Sequence, residues 1–335
     1  MALPEFVSSA AVLGASAGIS AALIFILKPL LSRHLLAHPN DRSSHHKATP
    51  EGAGLGVMAA IFIVLSVLLF GQFLPYPILA PVLIGAAALT LLGALDDAYS
   101  LPIVLRLLVQ GGAAVLVAAT LPPDFQILPQ LLPLWVERTL LAIGILAFVN
   151  VINFLDGLDW MTVAQLVPMS LGIAALSWLG LLAHPIGFLA LALLGATLGF
   201  AVFNKHPASI FLGDSGSLPI GLLLAFMLIW VAEAHIASAL LLALYTLADS
   251  ALTFFRRLLN GENVTSAHRS HFYQRAVAQG FKVPEVTTRV FIVCLWLAIL
   301  AIASALAQSL LVDAITLLAG AAGVARVLTA FARGR

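Results

Sequence analysis

Eleven apolar runs of membrane-crossing length constrain this chain more than any other feature. They lie at roughly 6–27, 53–73, 78–95, 104–121, 134–153, 161–182, 186–203, 213–232, 236–255, 289–308 and 312–331. A helix crosses a hydrocarbon core about 30 Å thick with about 20 apolar residues, and it satisfies its own backbone polar groups on the way. Charged residues make up 9% of the 335 residues, against about 25% in ordinary soluble domains. Soluble domains are therefore excluded. The pattern predicts an all-α, polytopic membrane helix bundle of about 11 transmembrane helices, a single domain over 1–335. The one cysteine, Cys294, sits in an apolar run, which rules out an intrachain disulfide and argues against a thiolate metal site. No basic residue precedes Lys28, so the first run reads as a spanning helix with an outer N-terminus and not as a cleaved signal peptide.

The junctions between runs alternate in character. One set is short and poor in basic residues: around Pro75, Pro122 to Arg138, His184, Glu233 and Gln308. The other holds Lys28 to Lys47, Arg106, Lys205, Arg256 to Arg289, and the tail with Arg326, Arg333 and Arg335. Of the 16 Lys and Arg, only Arg138 falls in the first set. Positive charge stays on the cytoplasmic side, so the second set is predicted to be inside, giving N-out and C-in. The cytoplasmic loops then lie near 28–52, 96–103, 154–160, 204–212 and 256–288. An inner excess of positive charge suits an anionic cytosolic substrate at a lipid bilayer, and no nucleic acid partner is expected. Asp313 and Arg326, inside the last run, are read as snorkelling to an interface.

Polar clusters gather at the inner ends of the runs. In Asn150 to Trp160, N-V-I-N-F-L-D-G-L-D-W, the side chains of Asn150, Asn153, Asp156 and Asp159 recur every third position and share one side of a helix end. A carboxylate at bilayer depth costs about 2.5–3.5 kcal/mol, so such a cluster needs water, a cation or a ligand. Asp96 and Asp97 stand adjacent, and two like charges persist together when a cation sits between them. Phe211 to Ser217, F-L-G-D-S-G-S, places Asp214 and Ser215 where a helix N-terminus offers N–H groups to a phosphate or to phosphate-bound magnesium. His268, Arg269, His271 and Arg275 form a basic stretch; drawn as a helix, it puts His268, His271 and Arg275 on one face as a diphosphate clamp. Arg42, His45, His46 and Lys47 in the first loop are further phosphate contacts. Singly, each cluster is an ordinary helix cap or polybasic flank. Together, hard oxygen donors without sulfur favour Mg2+, with Mn2+ as the substitute, held by one or two carboxylates and substrate phosphates.

At these residues the chain resembles the polyprenyl-phosphate N-acetylhexosamine-1-phosphate transferases, glycosyltransferase family 4. The matches are P-N-D-R-S-S-H at 39–45, D-D at 96–97, N-V-I-N-F-L-D-G-L-D at 150–159, F-L-G-D-S-G-S-L at 211–218 and H-R-S-H at 268–271, in family order along nearly the whole chain. The H-R-S-H-F-Y-Q form resembles the branch that begins O-antigen with N-acetylfucosamine or a related sugar. The resemblance implies a bacterial inner-membrane enzyme, active on the cytoplasmic face. It would move N-acetylhexosamine-1-phosphate from a UDP-N-acetylhexosamine to undecaprenyl phosphate and release UMP. It also implies that Asp214 binds magnesium with Asp97, and that Asp96 and Asp97 position the metal or take a proton. By the same resemblance Asn150, Asn153, Asp156 and Asp159 hold the nucleotide and order the metal site. His268, Arg269, His271 and Arg275, with Arg42, His45 and Lys47, would hold phosphates. The resemblance to characterised relatives suggests a homodimer.

Three positions depart from the family pattern. Trp160 replaces a usual glycine and is expected to narrow the sugar or uracil pocket; Ala37 replaces an aspartate; Ser270 interrupts a histidine-rich motif, which leaves more weight on His268 and His271. Two other readings compete. A transporter of a phosphorylated or lipid-linked substrate would put its polar groups near the bilayer midplane, and an intramembrane aspartyl protease would want a glycine where Phe211 stands.

Overall fold

The computed structural model describes residues 5–37, 48–129, 131–263 and 269–334, without the side chains of 5–8. Arg42, His45, Lys47 and His268 lie outside the described residues. Eleven long helices and one short one follow in chain order: α1 (Glu5–His34), α2 (Gly54–Phe70), α3 (Tyr76–Tyr99), α4 (Ile103–Ala119), α5 (Leu134–Leu155), α6 (Met161–Trp178), α7 (His184–Asn204), α8 (Asp214–Ala234), α9 (Ile236–Leu259), α10 (Phe272–Ala278), α11 (Val283–Ala307) and α12 (Leu310–Arg333). Among the described residues nine helices are long and apolar enough to cross a bilayer, and α2 and α4 are apolar but shorter, at 17 residues each. The molecule is a polytopic membrane helix bundle.

Proline sets several of the starts. Pro75, Pro102 and Pro133 directly precede α3, α4 and α5, and Pro185 opens α7. Its fixed φ suits the first turn, where its missing N–H goes unneeded. α8 forms the core: 89% of its spanning window is buried, against 22% for α1 and 17% for α12. It packs against α3 and α5, with α9, α2 and α7 completing its surroundings. Apolar side chains all around α8 fit a helix enclosed by other helices. The approach of α3 to α8 is close enough to need a bare Cα. A Cβ on Gly93 would overlap the backbone of Asp214 and Ser215.

The stretch before α2 is tied to the stretch before α8. β1 (Leu36–Ala37) pairs antiparallel with β2 (Thr49–Pro50). Phe211 N–H then donates to Pro50 O at 2.8 Å, Ala53 N–H to Phe211 O at 3.0 Å and Gly54 N–H to Leu212 O at 2.8 Å. Glu51 is thereby fixed beside the start of α8.

Two expectations change. α11 begins at Val283, not near 289, because Pro284 can sit in its first turn. Asp313 does not snorkel: Ser304 Oγ donates to its Oδ1 at 2.6 Å and His235 Nε2 lies 3.3 Å from the same oxygen, which pins α12 to α9 and α11.

Candidate active site

Where α3 and α5 end and α8 begins, a cleft of about 780 Å³ opens at one end of the bundle. Its walls carry Glu51, Asp97, Asn153, Asp156, Asp159, Asn204, His206, Asp214, Ser217 and Gln274. Asp97, in the last turn of α3, grips the first turn of α8. Its Oδ1 accepts Asp214 N–H at 2.8 Å and its Oδ2 accepts Ser215 N–H at 3.2 Å. A helix N-terminus has unpaired N–H groups and a positive dipole end, so a carboxylate there is well placed. Gly213 makes the grip geometrically feasible. Its φ is +76°, in the left-handed region, and a Cβ would strike the Asp97 carboxylate.

Asn153 orients the second acid. Its Nδ2 donates to Asp214 Oδ1 at 2.7 Å and to Ser217 Oγ at 2.8 Å. Arg106 Nη1 lies 3.6 Å from Asp214 Oδ2 and is closely ion-paired with Asp96. Asp96 also accepts Leu101 N–H at 2.6 Å, so its buried carboxylate holds the α3–α4 turn and Arg106.

Asp156 follows the last turn of α5 and accepts a short hydrogen bond from Thr162 Oγ1. Burial pushes its carboxyl up to about 7; the Thr162 bond works against that, and Asp214, Asp97 and Asp159 add to it. Glu51 is likewise pushed up to about 7, by burial first and then by Asp97. Asp159 Oδ2 takes His206 Nδ1 at 2.6 Å and Ala208 N–H at 3.0 Å. Asn204 accepts Trp160 N–H at 2.7 Å and donates to Ile210 O at 3.0 Å. These bonds fix the 204–210 wall of the cleft.

Comparison with known proteins bears on this arrangement. Residues 79–232, from α3 to α8, match the model of glycosyl transferase family 4. The match spans Asp96, Asp97, Asn153, Asp156, Asp159 and Asp214. Over that stretch the chain is similar to glycosyl transferase family 4. It is 29% identical over 279 residues to the probable undecaprenyl-phosphate N-acetylglucosaminyl 1-phosphate transferase of Bacillus subtilis, covering 78% of this chain and 76% of that protein. It is 29% identical over 309 residues to the decaprenyl-phosphate N-acetylglucosaminephosphotransferase of Mycobacterium leprae, covering 81% and 76%. A shorter match, 37% identical over 87 residues and 26% of this chain, is to the phospho-N-acetylmuramoyl-pentapeptide-transferase of Oceanobacillus iheyensis.

Several candidate residues lie off the cleft wall. Asn150, one turn deeper in α5, donates to Gln110 Oε1 and to Leu146 O, both at 2.8 Å, and so ties α5 to α4. His271 precedes α10 instead of lying within it, so no single helical face joins it to Arg275. It is 4% exposed, and its Nδ1 is 3.1 Å from Oδ1 of Asp249, a wholly buried acid on α9. Arg275 stacks over Phe272 at 5.9 Å, and neither it nor Arg269 lines the cleft. Trp160 does not narrow the pocket: its Nε1 donates to Ala201 O at 2.8 Å, against α7. Its φ of +63° explains why glycine suits that position.

Glu51, Arg106, His206, Asp249 and Gln274 are site or supporting residues that the motif reading passed over. Arg106 and His206 counted only as part of a basic flank or not at all. Asp249 lies inside an apolar run, where an isolated acid is itself the signal of a polar network.

Proposed function

We propose that the chain transfers N-acetylhexosamine-1-phosphate from a UDP-sugar to undecaprenyl phosphate, releasing UMP, at the cytoplasmic face of a bacterial inner membrane. The observation that carries this is the convergence of Asp97, Asn153, Asp156 and Asp214, from three helices, on one cleft at the end of a membrane bundle. The names of the B. subtilis and M. leprae relatives support the reaction class.

The donor set fits a hard divalent cation. Asp97 and Asp214 offer oxygen only, and among the described residues no three His, Cys, Asp or Glu side chains converge tightly enough to enclose an ion. Oxygen donors suit magnesium, or manganese in its place, which takes one or two carboxylates and leaves other positions to water and substrate phosphates. Bound there, the ion neutralises the diphosphate and stabilises the UMP leaving group. Asn153 holds the Asp214 carboxylate in orientation, and Asp97 holds the backbone N–H groups of Asp214 and Ser215 at the start of α8. The lipid phosphate, with a second pKa of about 6, enters already ionised, so the attacking oxygen does not depend on an aspartate as base. The H-R-S-H form favours an O-antigen-initiating role with N-acetylfucosamine; the relatives' names favour N-acetylglucosamine.

The test offers UDP-N-acetylglucosamine, UDP-N-acetylfucosamine, UDP-N-acetylquinovosamine and UDP-N-acetylgalactosamine to the purified protein with undecaprenyl phosphate. The expected result is transfer with one or two of these donors, abolished by EDTA and restored by magnesium. Asp214→Ala is expected to lower the rate by at least about 100-fold. Full activity in that variant, or indifference to EDTA, rejects the metal role.

A further inference from the structure

The walls of the cleft are strongly unbalanced in charge. Five acidic residues line it (Glu51, Asp97, Asp156, Asp159 and Asp214), and among the described lining residues His206 is the only side chain able to carry positive charge. Its surroundings are built to present it. Nδ1 is committed to Asp159 Oδ2 at 2.6 Å, which leaves Nε2 as the ring nitrogen available to a ligand. Asp159 is 13% exposed and the His206 side chain 43%, so the carboxylate is the inner partner and the imidazole the outer one. The segment carrying His206 is tied down on both sides. Asn204 bonds Trp160 N–H and Ile210 O, and Ser209 Oγ donates to Phe203 O at 2.8 Å.

We propose that His206, oriented by Asp159, is a donor-binding residue that meets a phosphate oxygen of the nucleoside diphosphate-sugar. The assignment rests on the transferase reading above. It also gives Asp159 a different task from the one its motif suggests. Its hydrogen bonds to His206 and to Ala208 N–H both use Oδ2, so Asp159 acts on substrate through the imidazole. A hydrogen bond from the imidazole to a phosphate oxygen gives an anion entering this acid-lined cleft a favourable contact at a fixed place, beside the divalent ion.

The experiment is calorimetric titration of the full-length protein, in detergent with magnesium, by UMP and separately by uridine. His206→Asn keeps a donor for Asp159 but cannot carry charge; His206→Lys keeps the charge. The expected result is that His206→Asn weakens UMP binding about tenfold, leaves uridine unchanged, and that His206→Lys stays within about threefold of wild type for UMP. Wild-type UMP affinity in His206→Asn overturns the assignment, as does an equal loss for UMP and uridine, which would mark a loop-supporting role. A wild-type protein that binds no UMP overturns the donor reading itself, and this assignment with it.

Discussion

At the scale of single residues, Asp156 and Glu51 give the cleft a measurable dependence on pH. Their ordinary values are 3.8 and 4.5, and both are raised to about 7 in the folded protein. Between those limits the folded state holds more protons than the unfolded chain. The stability these groups contribute is therefore fullest below about pH 4 and is lost as pH rises towards 7. In EDTA, the thermal midpoint of the purified protein is expected to be lower at pH 7.5 than at pH 5.5, by about 2 °C or more. Asp156→Asn with Glu51→Gln should flatten that slope, and magnesium should recover the midpoint at pH 7.5, because a cation favours the ionised carboxylates. A midpoint that climbs with pH and is indifferent to the double substitution contradicts the assignment. Neither acid's state could be read from the sequence. Asp156 stood out as a polar residue at a span end, but its state depends first on its burial in the fold, then on acids brought in from α3 and α8, with Thr162 opposing them. Glu51 sat unnoticed in a loop, and the backbone ties of its neighbours Pro50, Ala53 and Gly54 to Phe211 and Leu212 bring that loop to the cleft.

At the scale of elements, α10 is held by an acid inside the membrane. Asp249 is wholly buried, yet it accepts from Tyr245 OH at 3.2 Å, Thr253 Oγ1 at 3.4 Å and Phe272 N–H at 3.0 Å, and faces His271 Nδ1 at 3.1 Å. Tyr273, next along, donates to Phe154 O at 3.0 Å, so α10 bridges α9 and the end of α5 while Gln274 reaches the cleft. Removing the shared acceptor strands several buried donors at once. Asp249→Ala is expected to cost about 3 kcal/mol and to speed proteolytic cleavage within 260–280. Tyr273→Phe, which deletes one bond, should cost about 1 kcal/mol. Equal protease resistance in wild type and Asp249→Ala would remove Asp249 as the anchor. The helices themselves were legible because the length of an apolar run is a local property. The convergence of Asp97, Asn153 and Asp214 was legible too, since each sits at a run end on the same predicted side. Asn150 belongs to the same three-residue series but meets Gln110, because a position one turn deeper faces another helix and not the cleft. His271 was misplaced for a similar reason: the short helix starts one residue later, and its ring turns inward to Asp249.

At the scale of the molecule, what remains to be measured is which way the bundle faces. The charge asymmetry predicts that the cleft end is cytoplasmic, and the structure strengthens the premise by accounting for the single exception. Arg138, alone among the Lys and Arg at the opposite end, spends its guanidinium on Ala118 O at 3.1 Å, Pro122 O at 2.7 Å and Phe125 O at 2.9 Å. It caps the α4–α5 connection, so its charge is explained by structure and does not count against the bias of the other junctions. α3 separates two exposed probe positions, Gln72 just before it and Ser100 at its cleft end, across 24 helical residues or about 36 Å. The sole cysteine, Cys294, is buried and can be replaced by serine to give a clean background. On that background, a membrane-impermeant maleimide added to right-side-out vesicles is expected to label Gln72→Cys and spare Ser100→Cys, with the pattern reversed in inverted vesicles. Labelling of Ser100→Cys from outside would put the acid-lined cleft away from the cytosolic pool of nucleotide sugars. The transferase reading could not survive that result, however well the side chains fit a diphosphate.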